Sequence, residues 1–283
     1  LRDAEGAQLL VTGDVTTVGK ETQFTMAERY LAAFVAPPDA NYWGLAAADW
    51  GERAVSGNHD HWPGLACVWG PPTRGLNDTF PARPFVGAPI QLSTGQRLRF
   101  IGIDTDADVR PFGIQRFLAR GSFCSQLTEA ATSMEIPDPN EVRVLLLHHS
   151  RAWPGKTLRM ETASRDALDD FLCEQDIAVM LCGHTHVPHV QPFSLTRTGR
   201  TIEILEARAG TTTQRDTIPY EWRNLLRRRP KRTLPPNTLL VHRLLDEDGT
   251  LVWHAETFVR LPSGFVKLRT GPEARLQVWP RPA

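Results

Sequence analysis

The chain has 283 residues, enough for one large domain or two small ones and for a sizeable buried core. Its 32 basic and 32 acidic side chains cancel, which excludes a global field that would steer nucleic acid or an anionic membrane. The longest apolar runs, such as Val144 to Leu147 and Ile177 to Cys182, fall far short of a membrane span.

The four cysteines, Cys67, Cys124, Cys173 and Cys182, form no C-x-x-C pair. A reducing, cytoplasmic setting is the expectation. In chain order, Gln8 to Thr12 reads as a buried strand that delivers Gly13-Asp14. A helix follows with Phe24, Ala27, Leu31 and Phe34 at helical spacing, and Pro37-Pro38 ends it. Arg53 to Ser56 is a short strand carrying Gly57-Asn58-His59-Asp60. Dense Pro and Gly make Pro63 to Pro89 an irregular excursion. Gln96 to Ile103 is a strand ending in Asp104, paired with Phe85 to Leu92. Thr105 to Ser125 reads as a loop, and Gln126 to Met134 as a helix.

Val142 to Leu147 is a fully apolar strand ending in His148-His149. Ser164 to Glu174 is an amphipathic helix with Ser164 as its N-cap. Ile177 to Cys182 is a second buried strand, ending in Gly183-His184-Thr185-His186. Further strands cover Thr201 to Ala207, Thr238 to Leu245 and Leu251 to Arg260, the last two joined at Asp246-Glu247-Asp248-Gly249. The pattern predicts an α/β fold with helices on two mixed sheets, and a single domain over 1–283. Its motif-bearing part is about 8–210 and its strand-rich part about 211–283.

Six of the nine histidines (His59, His61, His148, His149, His184 and His186) lie in or beside the strand-end motifs. Open α/β sheets bind ligands outside the carboxyl ends of their strands, so Asp14, Asn58, His148 and His184 should gather at one rim. Alone, Gly13-Asp14 is more often a turn than a ligand, and a strand-end histidine is more often structural. Asn58-His59-Asp60 is more specific: an amide oxygen suits a hard cation, and a histidine shuttles a proton. His184 and His186, two apart at a bend, can point into one site, with Gly183 permitting the turn.

Taken in this order, the motifs over Leu9 to about Ala209 resemble the calcineurin-like metallophosphoesterases. That resemblance implies a four-layer α-β-β-α sandwich and hydrolysis of phosphate esters by two divalent metals (Mn, Fe or Zn) that convert a bridging water to hydroxide. It further implies that Asp14 bridges both metals, that Asn58, His148 and His184 complete one site, and that His186 serves the other. His59 corresponds to the proton donor, Asp60 to its orienting partner, and His149 to a neighbour behind the ligands. The family's Asp-x-His on the first strand is missing: thirteen residues precede Asp14 and none is histidine. A truncated beginning that removed the first strand is the simplest expectation, leaving one well-liganded site and an incomplete second one.

The expected substrate is a small phosphodiester, with the cyclic-nucleotide phosphodiesterases as the branch most alike. A nuclease is one alternative, supported only by the basic cluster Arg223, Arg227, Arg228, Arg229, Lys231 and Arg232, which reads equally as a solvated loop. A non-catalytic scaffold on the same fold is another. Trp62 and Trp153 lie near the metal motifs and could stack on a substrate ring or simply pack.

Overall fold

The computed structural model describes residues 8–32, 50–61, 72–110, 114–210, 237–261, 264–269 and 271–281. The basic cluster around Trp222, Trp62, Cys67 and Phe34 fall outside these residues.

The chain begins with β1 (Val11–Thr12), which pairs in parallel with β2 (Ala54–Val55). Between them lies α1 (Glu21–Ala32), and Trp50–Arg53 forms a 3₁₀ turn before β2. α2 (Arg74–Thr79), β3 (Phe85–Val86), β4 (Ile90–Gln91) and β5 (Arg97–Gly102) follow. The expected loop after Asp104 contains a short helix, α3 (Ile114–Phe117), before α4 (Cys124–Ser133). Then come β6 (Glu141–Leu146), α5 (Thr162–Glu174), β7 (Ile177–Cys182), β8 (His189–Arg197) and β9 (Arg200–Arg208). The last described elements are β10 (Thr238–Glu247), β11 (Thr250–Leu261), β12 (Gly264–Lys267) and β13 (Glu273–Trp279).

β5, β6, β7 and β9 run parallel, with β3, β4 and β8 antiparallel on the flanks, giving a mixed seven-stranded sheet. β10 to β13 form a second sheet that is wholly antiparallel. Side chains alternate across the large sheet. Ile101, Leu145, Leu147 and Met180 pack under α4 and α5 with Leu168, Phe171 and Leu172. Phe100, Val144, Leu146 and Leu181 face the other way, onto Trp253, Ala255 and Val278 of the antiparallel sheet and Val55 of β2. Beyond β1 and β2, Phe24 of α1 and Leu76 of α2 pack with Trp50 and Phe80. Helices therefore lie outside sheets on both sides, and burying a side chain such as Leu168 contributes roughly 1.5–3 kcal/mol.

α5 starts two residues earlier than expected, with Glu161 rather than Ser164 as its N-cap. Ser164 lies inside the helix, where its Oγ accepts the Phe123 N–H at 3.0 Å. Among the described residues no helix is long and apolar enough to cross a membrane.

Candidate metal centre

Register builds the site. Gly102 pairs with Leu146 and Leu146 with Leu181, so Asp104, His148 and Gly183 leave the large sheet side by side. Thr12 opposite Val55 does the same for Asp14 and Gly57. Close approach then explains two glycines. A β-carbon on Gly13 would stand 2.3 Å from His148 Nδ1, and one on Gly57 would stand 2.3 Å from Asp14 Oδ1. Asp14, His184 and His186 all adopt positive φ, at 52°, 68° and 58°. Such strain, of order 1–3 kcal/mol each, persists only where surroundings enforce it and clusters at functional sites.

The donor atoms converge. His148 Nδ1 donates to the Thr12 carbonyl at 2.7 Å, which leaves Nε2 as the nitrogen turned toward the site. Nε2 faces two oxygens, Asp14 Oδ2 at 3.2 Å and Asn58 Oδ1 at 3.1 Å. His184 Nε2 donates to the Ala119 carbonyl at 3.2 Å, and its buried Nδ1 has no partner. Asp14, His148 and His184 each offer a ligand atom, all within 4.8 Å of one another. Ligands about 2.1 Å from one cation stand roughly 3.0–3.4 Å apart, so each oxygen's distance from His148 Nε2 fits a shared divalent ion. The set mixes imidazole, carboxylate and amide, which suits zinc, iron or manganese. His186 is half-buried and lies outside this three-residue group.

Electrostatics follow the same crowding. Burial would raise the Asp14 carboxyl, but His148 and His59 outweigh it and hold the group well below the usual range. His149 is pushed down to about 3 by burial and then by His148. It is therefore neutral, with Nε2 donating to Ala119 O at 3.2 Å and Nδ1 accepting from Thr105 Oγ1 at 2.8 Å.

Asp60 differs from expectation. His59 Nδ1 is oriented by the Thr17 carbonyl at 2.7 Å, while both Asp60 oxygens are taken by main chain and hydroxyl. Oδ1 accepts from the Thr16 N–H at 2.8 Å and its hydroxyl at 2.9 Å, and Oδ2 accepts from Gly57 N–H at 2.9 Å. Asp60 thus ties the loop after β1 to the loop after β2, and the His59 N–H donates to Asp14 Oδ1 at 2.9 Å. A carboxylate in a turn goes to the nearest unpaired N–H groups, and here these belong to residues 15, 16 and 57.

A family model for calcineurin-like phosphoesterases matches residues 1–188. This chain belongs to the calcineurin-like phosphoesterases. Among solved structures, GAP50, the anchor in the inner membrane complex of Plasmodium, is similar at 10% identity, covering 96% of this chain and 76% of that one with a TM-score of 0.48. No curated protein matches significantly.

Two groups around this candidate centre escaped sequence reasoning. The first is Asp104 with His61: Oδ1 takes His61 Nε2 at 3.0 Å, and Oδ2 takes Arg83 Nη1 at 3.3 Å. Asp104 ends an apolar strand parallel to the one carrying His148, and that rule alone would have found it. Asp106, two residues on, is raised to about 7 by burial, and its buried Oδ2 lacks a hydrogen-bond partner. The second group is a staple. Glu206 accepts from Ser150 Oγ and from Ala152 N–H, at 3.2 Å for Oε2. Arg208 donates to Ser150 Oγ at 3.0 Å and, through Nε, to the Val187 carbonyl at 3.0 Å. Both candidate ligand loops are held by these two buried side chains of β9. Charges inside the otherwise apolar run 202–208 were the available signal. Trp153 packs rather than presenting an open ring: Arg208 lies 5.3 Å from its centroid, and its indole N–H donates to Thr157 O at 2.9 Å.

Proposed function

We propose that this chain is a metal-dependent phosphodiester hydrolase. The observation that carries the proposal is His148 Nε2, an imidazole nitrogen fixed against two oxygens at cation-sharing distance. Family membership supports phosphoester hydrolysis in general. Asp14, Asn58, His148 and His184 would hold one cation, and we assign His186, with Asp14 shared, to a second. A divalent cation bound there supplies charge neutralisation and Lewis acidity toward a phosphoryl oxygen.

The chain's own groups do the rest. Asp14 positions the His59 main chain through Oδ1, so the imidazole is anchored at the carboxylate that marks the site. Thr17 holds Nδ1–H, so in the doubly protonated ring Nε2 is the nitrogen that gives its proton to the leaving ester oxygen, and the ring is left as the Nδ1–H tautomer. Asp60 keeps the two loops in register, so that donor and ligands stay at fixed separation. The substrate class we favour is a small phosphodiester, with cyclic nucleotides the first compounds to examine.

Hydrolysis of bis(4-nitrophenyl) phosphate by the purified chain, with metal content measured on the same sample, tests this. Metal-dependent turnover that disappears in Asp14→Asn is the expected result. A chain that holds metal but hydrolyses neither diesters nor monoesters would overturn it in favour of a non-catalytic role.

A further inference from the structure

Beyond the metal ligands, residues 148–155 run on to the wall of a cavity of about 170 Å³. Arg151, Arg159 and Arg165 line it beside Trp153, Gly155 and Thr162, and no carboxylate-bearing residue does so among the described lining residues. The cavity is preformed on one side. Arg151 is locked in a two-pronged pair with Asp169, at 2.5 and 2.9 Å, and stacks over Phe193 at 4.8 Å. Trp153 is pinned by Thr157 and by Arg208, and a β-carbon on Gly155 would meet its indole nitrogen at 2.4 Å. Arg159 and Arg165 are exposed, and among the described residues neither is in an ion pair.

We propose that this cavity is a subsite for a second oxyanion, a phosphate or carboxylate, on the substrate whose scissile phosphate lies at the metal centre. The proposal rests on the hydrolase reading for its substrate, and on the cavity alone for its anion. Guanidinium groups match oxyanions by paired, charge-assisted hydrogen bonds, and two without an acidic partner leave net positive charge in a polar recess. The link to chemistry is covalent and short. His148 and Trp153 sit five residues apart on one loop, and Arg208 touches both Ser150 and Trp153. A substrate with one phosphate at the metals and another charged group on its leaving side would span the two positions.

Two measurements on the intact chain test this. In the first, arginines are modified with phenylglyoxal in the presence and absence of inorganic phosphate, and rates are read by peptide mass spectrometry. Arg159 and Arg165 should be protected several-fold, whereas Arg74, 86% exposed, should not. Equal rates at all three would overturn the proposal. In the second, KM is compared for bis(4-nitrophenyl) phosphate and for a diester bearing a carboxylate on its leaving group, in wild type and in Arg159→Gln and Arg165→Gln. KM for the charged diester alone should rise roughly threefold to tenfold, the range for exposed to partly buried charge pairs. Protection without that selective change would mean an adventitious anion only, and would sink the subsite. Protection in a chain that hydrolyses no diester would keep the anion site and reject the hydrolase reading instead.

Discussion

His148 Nε2 stands 3.2 Å from Asp14 Oδ2, and its partner nitrogen is already spent on the Thr12 carbonyl at 2.7 Å. Burial would lower the His148 imidazole, but Asp14 prevails and raises it to about 9, so without a metal a proton on Nε2 bridges the pair and a bound cation would take its place. His148→Ala removes one of the donors that would share that cation. Affinity for manganese or zinc should fall by at least roughly a hundredfold, since losses from groups behind the ligands already reach 10–100-fold. Calorimetric titration of metal into wild type and variant would show it, and unchanged affinity would dismiss the site.

Glu206 and Arg208 fix Ser150 and the Val187 carbonyl on the two candidate ligand loops. In Arg208→Met, metal affinity should drop about 10–100-fold, with partial recovery in Arg208→Lys. Cobalt substitution gives the reading that simple destabilisation would not. The visible spectrum of the bound ion should shift in the variant while its far-ultraviolet dichroism does not. An unaltered cobalt spectrum would make the staple purely structural.

If His59 gives up a proton to the departing oxygen, His59→Ala should lower kcat by about 10²–10⁴-fold with metal content intact. The deficit should shrink for nitrophenyl leaving groups, which need no proton. Equal deficits for good and poor leaving groups would remove the acid role.

The Asp104–His61 pair sets a pH window. Burial would raise Asp104, but His61 and Arg83 bring its carboxyl down to about 2. Its contribution is complete above the unfolded value near about 3.9 and is lost as pH falls through about 2. For His61, burial lowers but Asp104 prevails, so its imidazole lies above its usual value. That contribution is complete below about 6.5 and is lost as pH rises through the folded value. One ion pair underlies both, worth about 2 kcal/mol between roughly pH 4 and 6.5. Urea midpoints of wild type and Asp104→Asn should differ most in that window. A difference constant from pH 3 to 9 would assign the loss to packing.

Continuous apolar runs made β6 and β7 legible, because strands buried on both faces have no alternation to blur. β8 was missed: it is an edge strand with Pro192 within it, and its polar outward positions look like loop. Asp14, Asn58, His148 and His184 could be singled out as candidates because each sits just past the end of a strand. Their partners could not, since the carbonyls of Thr12, Thr17 and Ala119 carry no residue signature. Nor does an aspartate in a turn reveal which N–H groups it will meet, which is why Asp60 was assigned to His59.

Ala119 holds a left-handed backbone, φ 48°, and its single carbonyl receives both His149 Nε2 and His184 Nε2 at 3.2 Å. Rings from two different strands therefore turn on one peptide plane, like two doors on a common hinge post. The conformation costs an alanine roughly 1–2 kcal/mol, so it is a loaded element held in place by its two guests. Loosening either ring removes part of what restrains the peptide, and the other ring is then freed with it. The centre should accordingly lose its shape in one step under chelator or denaturant, with no state in which one imidazole is seated and its neighbour astray.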